Sequence, residues 1–352
     1  MSDVRQVRDA TSRIGRVLRR PGFWLRFSIL AAVGYYLVIP LLANVETAAD
    51  RLRSLDLRLT VAGFALQVVA LLCYSIMTRS ALGAASRTLR LERLFRIQLV
   101  TRALASTVPG GAAAGPALGY RLMTAAGVRG AHASASLASG SVVSAVALNL
   151  MLWVALVISI PLYGFNALYA IAAVVGIVVM LLVAATLLAI VDRSPLIDRA
   201  VHFVADRVRF DGDRVVGSLR AFGEQVAALL ADRPLMARLS FWAVMNWVLD
   251  AASLWVFLRA FGVTMNPIGL LVAFGVANVL AAVPISPGGI GIVEWAYIPI
   301  LVTFGAGFDQ ATLAVTTYRI AQLLFPIVLG ALAYGTLSLE SWRRRTATDL
   351  VS

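Results

Sequence analysis

Few residues in this chain can do chemistry, and those few stand where charge is expensive. Asp250 lies in "VMNWVLDAASLW", Glu294 in "SPGGIGIVEW" and Arg319 in "TTYRIAQLLFP", each set among apolar residues. A charged side chain at the centre of a bilayer costs about 2.5–3.5 kcal/mol on insertion scales, so each needs a partner or a task. Gln322 follows Arg319 by one turn and shares its helix face. The expectation is that Arg319 pairs with Glu294 or Asp250 beside a polar cavity. Three readings stay open: a structural ion pair that holds helices together, an arginine that grips a phosphate while the acid modulates it, or an arginine that snorkels to an interface. His132 and His202 stand apart, and no HExxH, CxxC, Walker loop or dinucleotide fingerprint accompanies them. No cofactor or metal is expected, and the chain is expected not to be an enzyme; an enzyme that uses Glu294 on a lipid is a lesser alternative.

The same stretches interrupt their own helices. Pro109-Gly110-Gly111 stands in "VPGGAAAG", and Pro287-Gly288-Gly289, followed by Gly291, stands in "SPGGIGIVE". Glycine lets backbone amides approach a ligand with no Cβ in the way. A half-helix that begins inside the membrane presents free N–H groups and a positive dipole end, which suits a phosphate or carboxylate. Arg102 and Arg121 flank the first break. The candidate substrate-binding set is therefore Pro109, Gly110, Gly111, Arg121, Asp250, Pro287, Gly288, Gly289, Gly291, Glu294, Arg319 and Gln322.

The elements that carry these residues follow from composition. The chain has 352 residues, 60% of them hydrophobic and 14% charged, with a mean hydropathy of +0.84. Several apolar runs exceed the 18 or so residues that read as a membrane-spanning helix. They do not alternate as the strands of a membrane β-barrel would. The fold class is an all-α polytopic integral membrane protein. The net charge of +13 does not point to nucleic acid: all 31 basic residues are arginine, clustered at the ends of apolar runs, which is the signature of membrane orientation. The single cysteine, Cys73, excludes an internal disulfide. The arginine-rich start runs straight into a first span, with no cleavable signal peptide expected.

The spans predicted are 23–43, 59–82, 131–160, 165–191, 236–261 and 309–338. Arginines place both termini and segment 192–238 in the cytoplasm of a cell that carries the chain in its plasma membrane. Counting crossings then requires 91–128 to leave and return on the cytoplasmic side and 267–306 on the outer side. Both segments hold stretches too short to cross a core of about 30 Å comfortably. They are predicted as re-entrant hairpins with the Pro-Gly-Gly triplets at their tips. Within the linker 192–235, residues 196–230 show helical periodicity, with Val201, Val204 and Val208 on one face and arginines and aspartates elsewhere. It is predicted as amphipathic helices on the cytoplasmic surface.

The two tips align. In the register that matches Pro109 with Pro287, Gly127 matches Gly305, and Ala133-Ser134 matches Ala311-Thr312. Entry from opposite faces makes this an inverted-topology repeat, typical of secondary transporters whose sites lie where broken helices meet. One transmembrane domain, 1–352, is expected, with a cytoplasmic arginine-rich start at 1–22. The first repeat is placed at 59–160 and the second at 236–340.

"VPISPGGIGIVEW", the "FG" after it and "YRIAQLLFPIVLGAL" resemble the lysylphosphatidylglycerol synthase transmembrane (flippase-like) family over about residues 91–342. The resemblance implies movement of aminoacylated phosphatidylglycerol, or of hopanoid-related or polyprenyl-linked lipids, across the membrane. It implies a stand-alone member, since the chain ends soon after Trp342 whereas synthase members continue into an aminoacyl transferase domain. Arg121 matches an arginine of the family. An acidic residue common after the first Pro-Gly is replaced here by Ala114, Gly115 and Pro116. The expected partner is a membrane phospholipid or polyprenyl-phosphate lipid. The alternative is an accessory subunit that docks lipid for a membrane synthase or glycosyltransferase, which would make a membrane enzyme a partner as well.

Overall fold

Long apolar helices with capped starts build the frame. A computed structural model describes residues 56–107, 111–163, 232–281 and 287–349, with isolated positions between 164 and 231. Apart from those isolated positions, the expectations for 1–22, for spans 23–43 and 165–191 and for linker residues 192–231 fall outside the described residues, as do Pro109 and Gly110. Helix α1 runs Leu57–Ala81; Asp56 caps it, its Oδ1 accepting from the amides of Arg58 at 2.9 Å and Leu59 at 3.3 Å. After a short 3-10 turn come α2 (Leu91–Thr107), α3 (Gly111–Ala125) and α4 (Gly130–Tyr163). Helix α5 runs Arg233–Ala260; Asp232 caps it by accepting from the Leu235 amide at 3.0 Å, and Pro234 sits in its first turn. Then follow α6 (Pro267–Ala281), a 3-10 turn at Pro287–Gly289, α7 (Ile292–Thr303), α8 (Phe308–Arg319), a π-helical turn (Ile320–Leu324) and α9 (Phe325–Asp349).

Four stretches are long and apolar enough to cross a membrane: Leu57–Ala81, Gly130–Ser159, Arg233–Ala260 and Phe308–Leu337. They match four predicted spans to within a few residues. Their outer faces stay apolar, as Val61 and Val69 on α1, Leu150 and Val154 on α4, and Val328 and Leu332 on α9 illustrate. Such faces suit acyl chains rather than water. The described residues form helices and no strands. The two stretches predicted as hairpins are pairs of short helices on either side of a break, α2–α3 and α6–α7, each helix having 17 residues or fewer.

The order long helix, broken pair, long helix thus occurs twice. The matched glycines do the same backbone work in both copies. Gly127 has φ 95° and Gly305 has φ 96°, a region that favours glycine. Each closes the helix before it, the following amide reaching back to Met123 at 3.1 Å in one copy and to Leu301 at 3.0 Å in the other.

Packing between the halves is reciprocal. Helix α1 lies on its counterpart α5, while α2 packs on α9 and α6 packs on α4. The register that matches Gly127 with Gly305 also matches Leu152 with Gly330, and both positions make a close approach. A Cβ on Gly330 would lie 2.6 Å from the Leu99 carbonyl oxygen of α2; one on Gly275 of α6 would lie 2.9 Å from Leu152 Cβ. The second contact joins a core around Leu152, Phe257, Phe274, Tyr297 and Tyr318.

Candidate functional site

The site begins where α5 meets α1. Gly63 has no side chain, so the Phe257 ring of α5 takes the space beside it, and Ser253 donates to the Gly63 carbonyl at 2.9 Å. One turn on, Gln67 Nε2 donates to Asp250 Oδ1 at 2.6 Å. These two contacts run in opposite directions along the helices, so α1 and α5 are antiparallel. Asp250 is only 6% exposed, and its oxygens are served by neutral donors: Gln67, the Tyr318 hydroxyl at 2.8 Å and, at 3.4 Å, Gln322 Nε2. A buried carboxylate needs such donors, because removing its water without replacing the hydrogen bonds is costly.

Gln322 joins this acid to a second. Its Nε2 also donates to the Tyr318 hydroxyl at 2.7 Å, while its Oε1 accepts from Arg319 Nη1 at 2.5 Å. Arg319 Nε donates to Glu294 Oε1 at 2.6 Å, and Nη2 to the Gly288 carbonyl at 2.6 Å. All three nitrogens of the guanidinium are therefore engaged. Arg319 is 3% exposed and the Glu294 side chain 21%. The other Glu294 oxygen accepts from the Gly291 amide at 2.6 Å. Gly291 has φ 87° and starts α7, so the acid caps its own half-helix while it holds Arg319.

The π turn is where Arg319 and Gln322 meet. Pro326 has no N–H to give the Gln322 carbonyl, and its ring would crowd that carbonyl in a regular helix. The chain widens instead, the Phe325 amide reaching back to Ile320. Such π turns often fall at functional positions. Nearby, Asn278 donates to the Tyr297 hydroxyl at 2.9 Å, and the Tyr297 and Tyr318 rings meet edge to face at 5.8 Å.

Of the predicted residues, Asp250, Gly288, Gly291, Glu294, Arg319 and Gln322 come together in one network. Gly289 (φ 69°) and the Pro287 backbone lie in the turn beside it. The expected pairing of Arg319 resolves to Glu294, with Asp250 joined through Gln322. Gly111 opens α3, and Arg121 is exposed on that helix, away from the network. The Gly288 turn meets the first half at α2: a Cβ on Gly288 would lie 3.6 Å from the carbonyl oxygen of Ser106, near the end of that helix. Sequence reasoning missed Gln67 and Tyr318. A lone glutamine within an apolar span was the available signal for the first; a tyrosine beside Arg319 was a weaker one for the second.

A partly buried ion pair set at a helix break, inside a bundle whose outer faces are apolar, defines a multi-pass α-helical membrane protein with a polar centre. Residues 24–330 match the lysylphosphatidylglycerol synthase TM region, and the chain belongs to that family. It is 26% identical over 121 residues to a UPF0104 membrane protein of Methanothermobacter thermautotrophicus, covering 34% of each chain. It is 28% identical over 114 residues to Glycosyltransferase AglD of Haloferax volcanii, covering 30% of this chain and 18% of that protein. The chain thus spans about a third of the length of one curated relative and less than a fifth of the other.

Proposed function

We propose that the protein carries a phosphate-bearing amphipathic lipid across the plasma membrane, an aminoacyl-phosphatidylglycerol or a polyprenyl-phosphate lipid being the best-fitting class. The observation that carries this reading is the Glu294–Arg319 pair at the Gly288 turn, next to the end of α2. Glu294 occupies the ligand position of an arginine whose geometry suits phosphate. An arriving phosphate would exchange with the carboxylate, and the freed acid would relax its hold on α7. Antiparallel α1 and α5 and the reciprocal packing of the halves support reading the two copies as inverted repeats, with the α2–α3 and α6–α7 pairs as re-entrant hairpins from opposite faces. Rocking of one repeat against the other would carry the headgroup past the midplane while the tail stays in lipid. Both termini would face the cytoplasm. The protein would act by binding and exchange, with no covalent chemistry.

Headgroup translocation in proteoliposomes tests this, with labelled phosphatidylglycerol, aminoacyl-phosphatidylglycerol and polyprenyl-phosphate lipids and with wild type against Glu294→Gln. Transport by wild type no faster than in protein-free vesicles would refute it. The likeness to a stretch of a protein named as a glycosyltransferase favours a second reading, a lipid-docking subunit for a membrane synthase or glycosyltransferase. Loss of activity in such an enzyme on deletion of this chain, with no transport by the chain alone, would select it.

A further inference from the structure

The central network holds two acids and one cation. Arg319 gives Nε to Glu294, Nη1 to Gln322 Oε1 and Nη2 to the Gly288 carbonyl, so none of its nitrogens serves Asp250. Asp250 is buried and makes no ion pair among the described residues. Its partners are neutral, and they are unevenly placed. Oδ1 takes the two short contacts, from Gln67 at 2.6 Å and Tyr318 at 2.8 Å, while Oδ2 meets only Gln322 Nε2, at 3.4 Å. That last distance is past the usual range for an N–H donor. Oδ1 is thus served as a carbonyl oxygen is, and Oδ2 lacks the donors that a full negative charge demands.

The elements packed around Asp250 bring it no counter-ion. Helix α1 contributes Gln67, with Cys73 and Tyr74 about two turns farther along. Helices α4 and α6 have no ionisable side chain between His132 and Tyr163 or between Pro267 and Ala281. Helix α8 brings Tyr318 and Arg319, and Tyr297 of α7 lies edge-on to Tyr318. Arg259 of Asp250's own helix lies over Trp255. Arg102 of α2 bears on Asp250 through charge, but it is exposed and forms no ion pair with it. With both acids ionised, the network would set two carboxylates against one guanidinium that Glu294 already holds. A charge buried without a counter-ion is costly, and a carboxyl escapes that cost by keeping a proton.

We propose that Asp250 is a proton-binding site, protonated while Glu294 holds Arg319 and ionised when Arg319 loses that counter-charge. Gln322 makes the link. Its amide accepts from Arg319 at one end and donates to Tyr318 and toward Asp250 at the other. The guanidinium therefore lies one amide away from the second acid. An Arg319 without Glu294 is a buried cation with no counter-ion, and Asp250 is the acid placed to balance it. In that step Asp250 gives one proton to water and becomes a carboxylate, while Arg319 stays a cation throughout. The Tyr318 contact persists in both states, since a hydroxyl donates as well as accepts. The proton site stands on this network alone; its use in driving lipid movement rests on the transport reading above.

The test is infrared spectroscopy of the full-length chain, purified in neutral detergent and phosphate-free buffer at neutral pH. Exposed acids are ionised there, so the C=O stretch of a protonated carboxyl reports buried acids alone. The wild type should show this band, shifted by isotope-labelled aspartate and not by isotope-labelled glutamate. Asp250→Asn should remove it. Glu294→Gln should remove it too, because Asp250 then ionises to balance Arg319. A wild type with no band that Asp250→Asn removes means a permanently ionised, structural Asp250 and overturns the site. A band of wild-type strength in Glu294→Gln overturns the link to Arg319. Should either variant fail to fold, the labelled wild type decides, and a spectrum with no aspartate-sensitive band overturns the proposal. In proteoliposomes, a gradient of about one pH unit should shift the distribution of labelled phosphatidylglycerol between leaflets about tenfold for one proton per lipid. A distribution that ignores the gradient, with the band behaving as expected, supports the proton site and overturns its use in transport. The expected band in a wild type that moves no lipid supports the site and refutes the transport reading alone.

Discussion

The two halves of this bundle share an order of elements and differ in what they do with charge. In the second half, Glu294, Arg319, Gln322 and Asp250 satisfy one another, and the Gly288 turn is tied into the set by its carbonyl. In the first half, Arg102 and Arg121 are exposed, and the helices meet through small residues such as Gly115 and Gly119 instead. One half is tied together by its own polar groups, and the other relies on close backbone approach. The same order of elements is thus divided between two ways of holding helices together. That division follows from physics: a buried charge must be matched by groups the protein itself provides, whereas an exposed one can wait for a ligand.

The sharpest way to break the comparison is Arg319→Ala. It strands Glu294 beside a lost partner and frees the Gly288 carbonyl, and it should cost about 3–5 kcal/mol, the range for removing one member of a buried pair. Unfolding by SDS titration measures it; a loss no greater than that of Arg121→Ala would erase the contrast between the halves. Gln67→Leu takes a 2.6 Å donor from Asp250 and should cost about 1–3 kcal/mol in the same titration. It also asks whether the first half contributes to the second half's network, since Gln67 is the one member from α1.

Gly330→Ala probes the reciprocal interface. The new Cβ would sit 2.6 Å from a backbone oxygen of α2, so the helices must part, at about 1–3 kcal/mol. Gly335→Ala on the same helix meets open space within 4 Å and should leave the midpoint unchanged or raised. The smallest effect is expected from Gln98→Leu. It removes a neutral bond to Thr78 outside the Asp250–Arg319 network, worth about 0.5–1.5 kcal/mol. A cost equal to that of Gln67→Leu would mean that the two halves weigh polar contacts alike.

The sequence by itself determined the class, the four described spans and the places where helices break. Each of these is a local property: about 20 apolar residues must be helical in a bilayer, and Pro-Gly-Gly cannot continue a helix. The match of Gly127 with Gly305 was legible for the same reason, since a cap that needs a positive φ selects glycine wherever it sits. The cost of buried charge also announced that Arg319 needed a carboxylate, but Glu294 and Asp250 were equal candidates on that ground. Only the tertiary structure chose Glu294, because the choice depends on where α7 starts relative to the π turn. Gln67 became a ligand of Asp250 through the close approach of α1 and α5 at Gly63, and Tyr318 through the packing of α8 on α5. Arg102 and Arg319 look alike in sequence, each an arginine set within a largely apolar stretch. Their fates diverged because Arg319 met a carboxylate across the bundle while Arg102 stayed exposed, and no spacing along a single chain encodes what lies across from it.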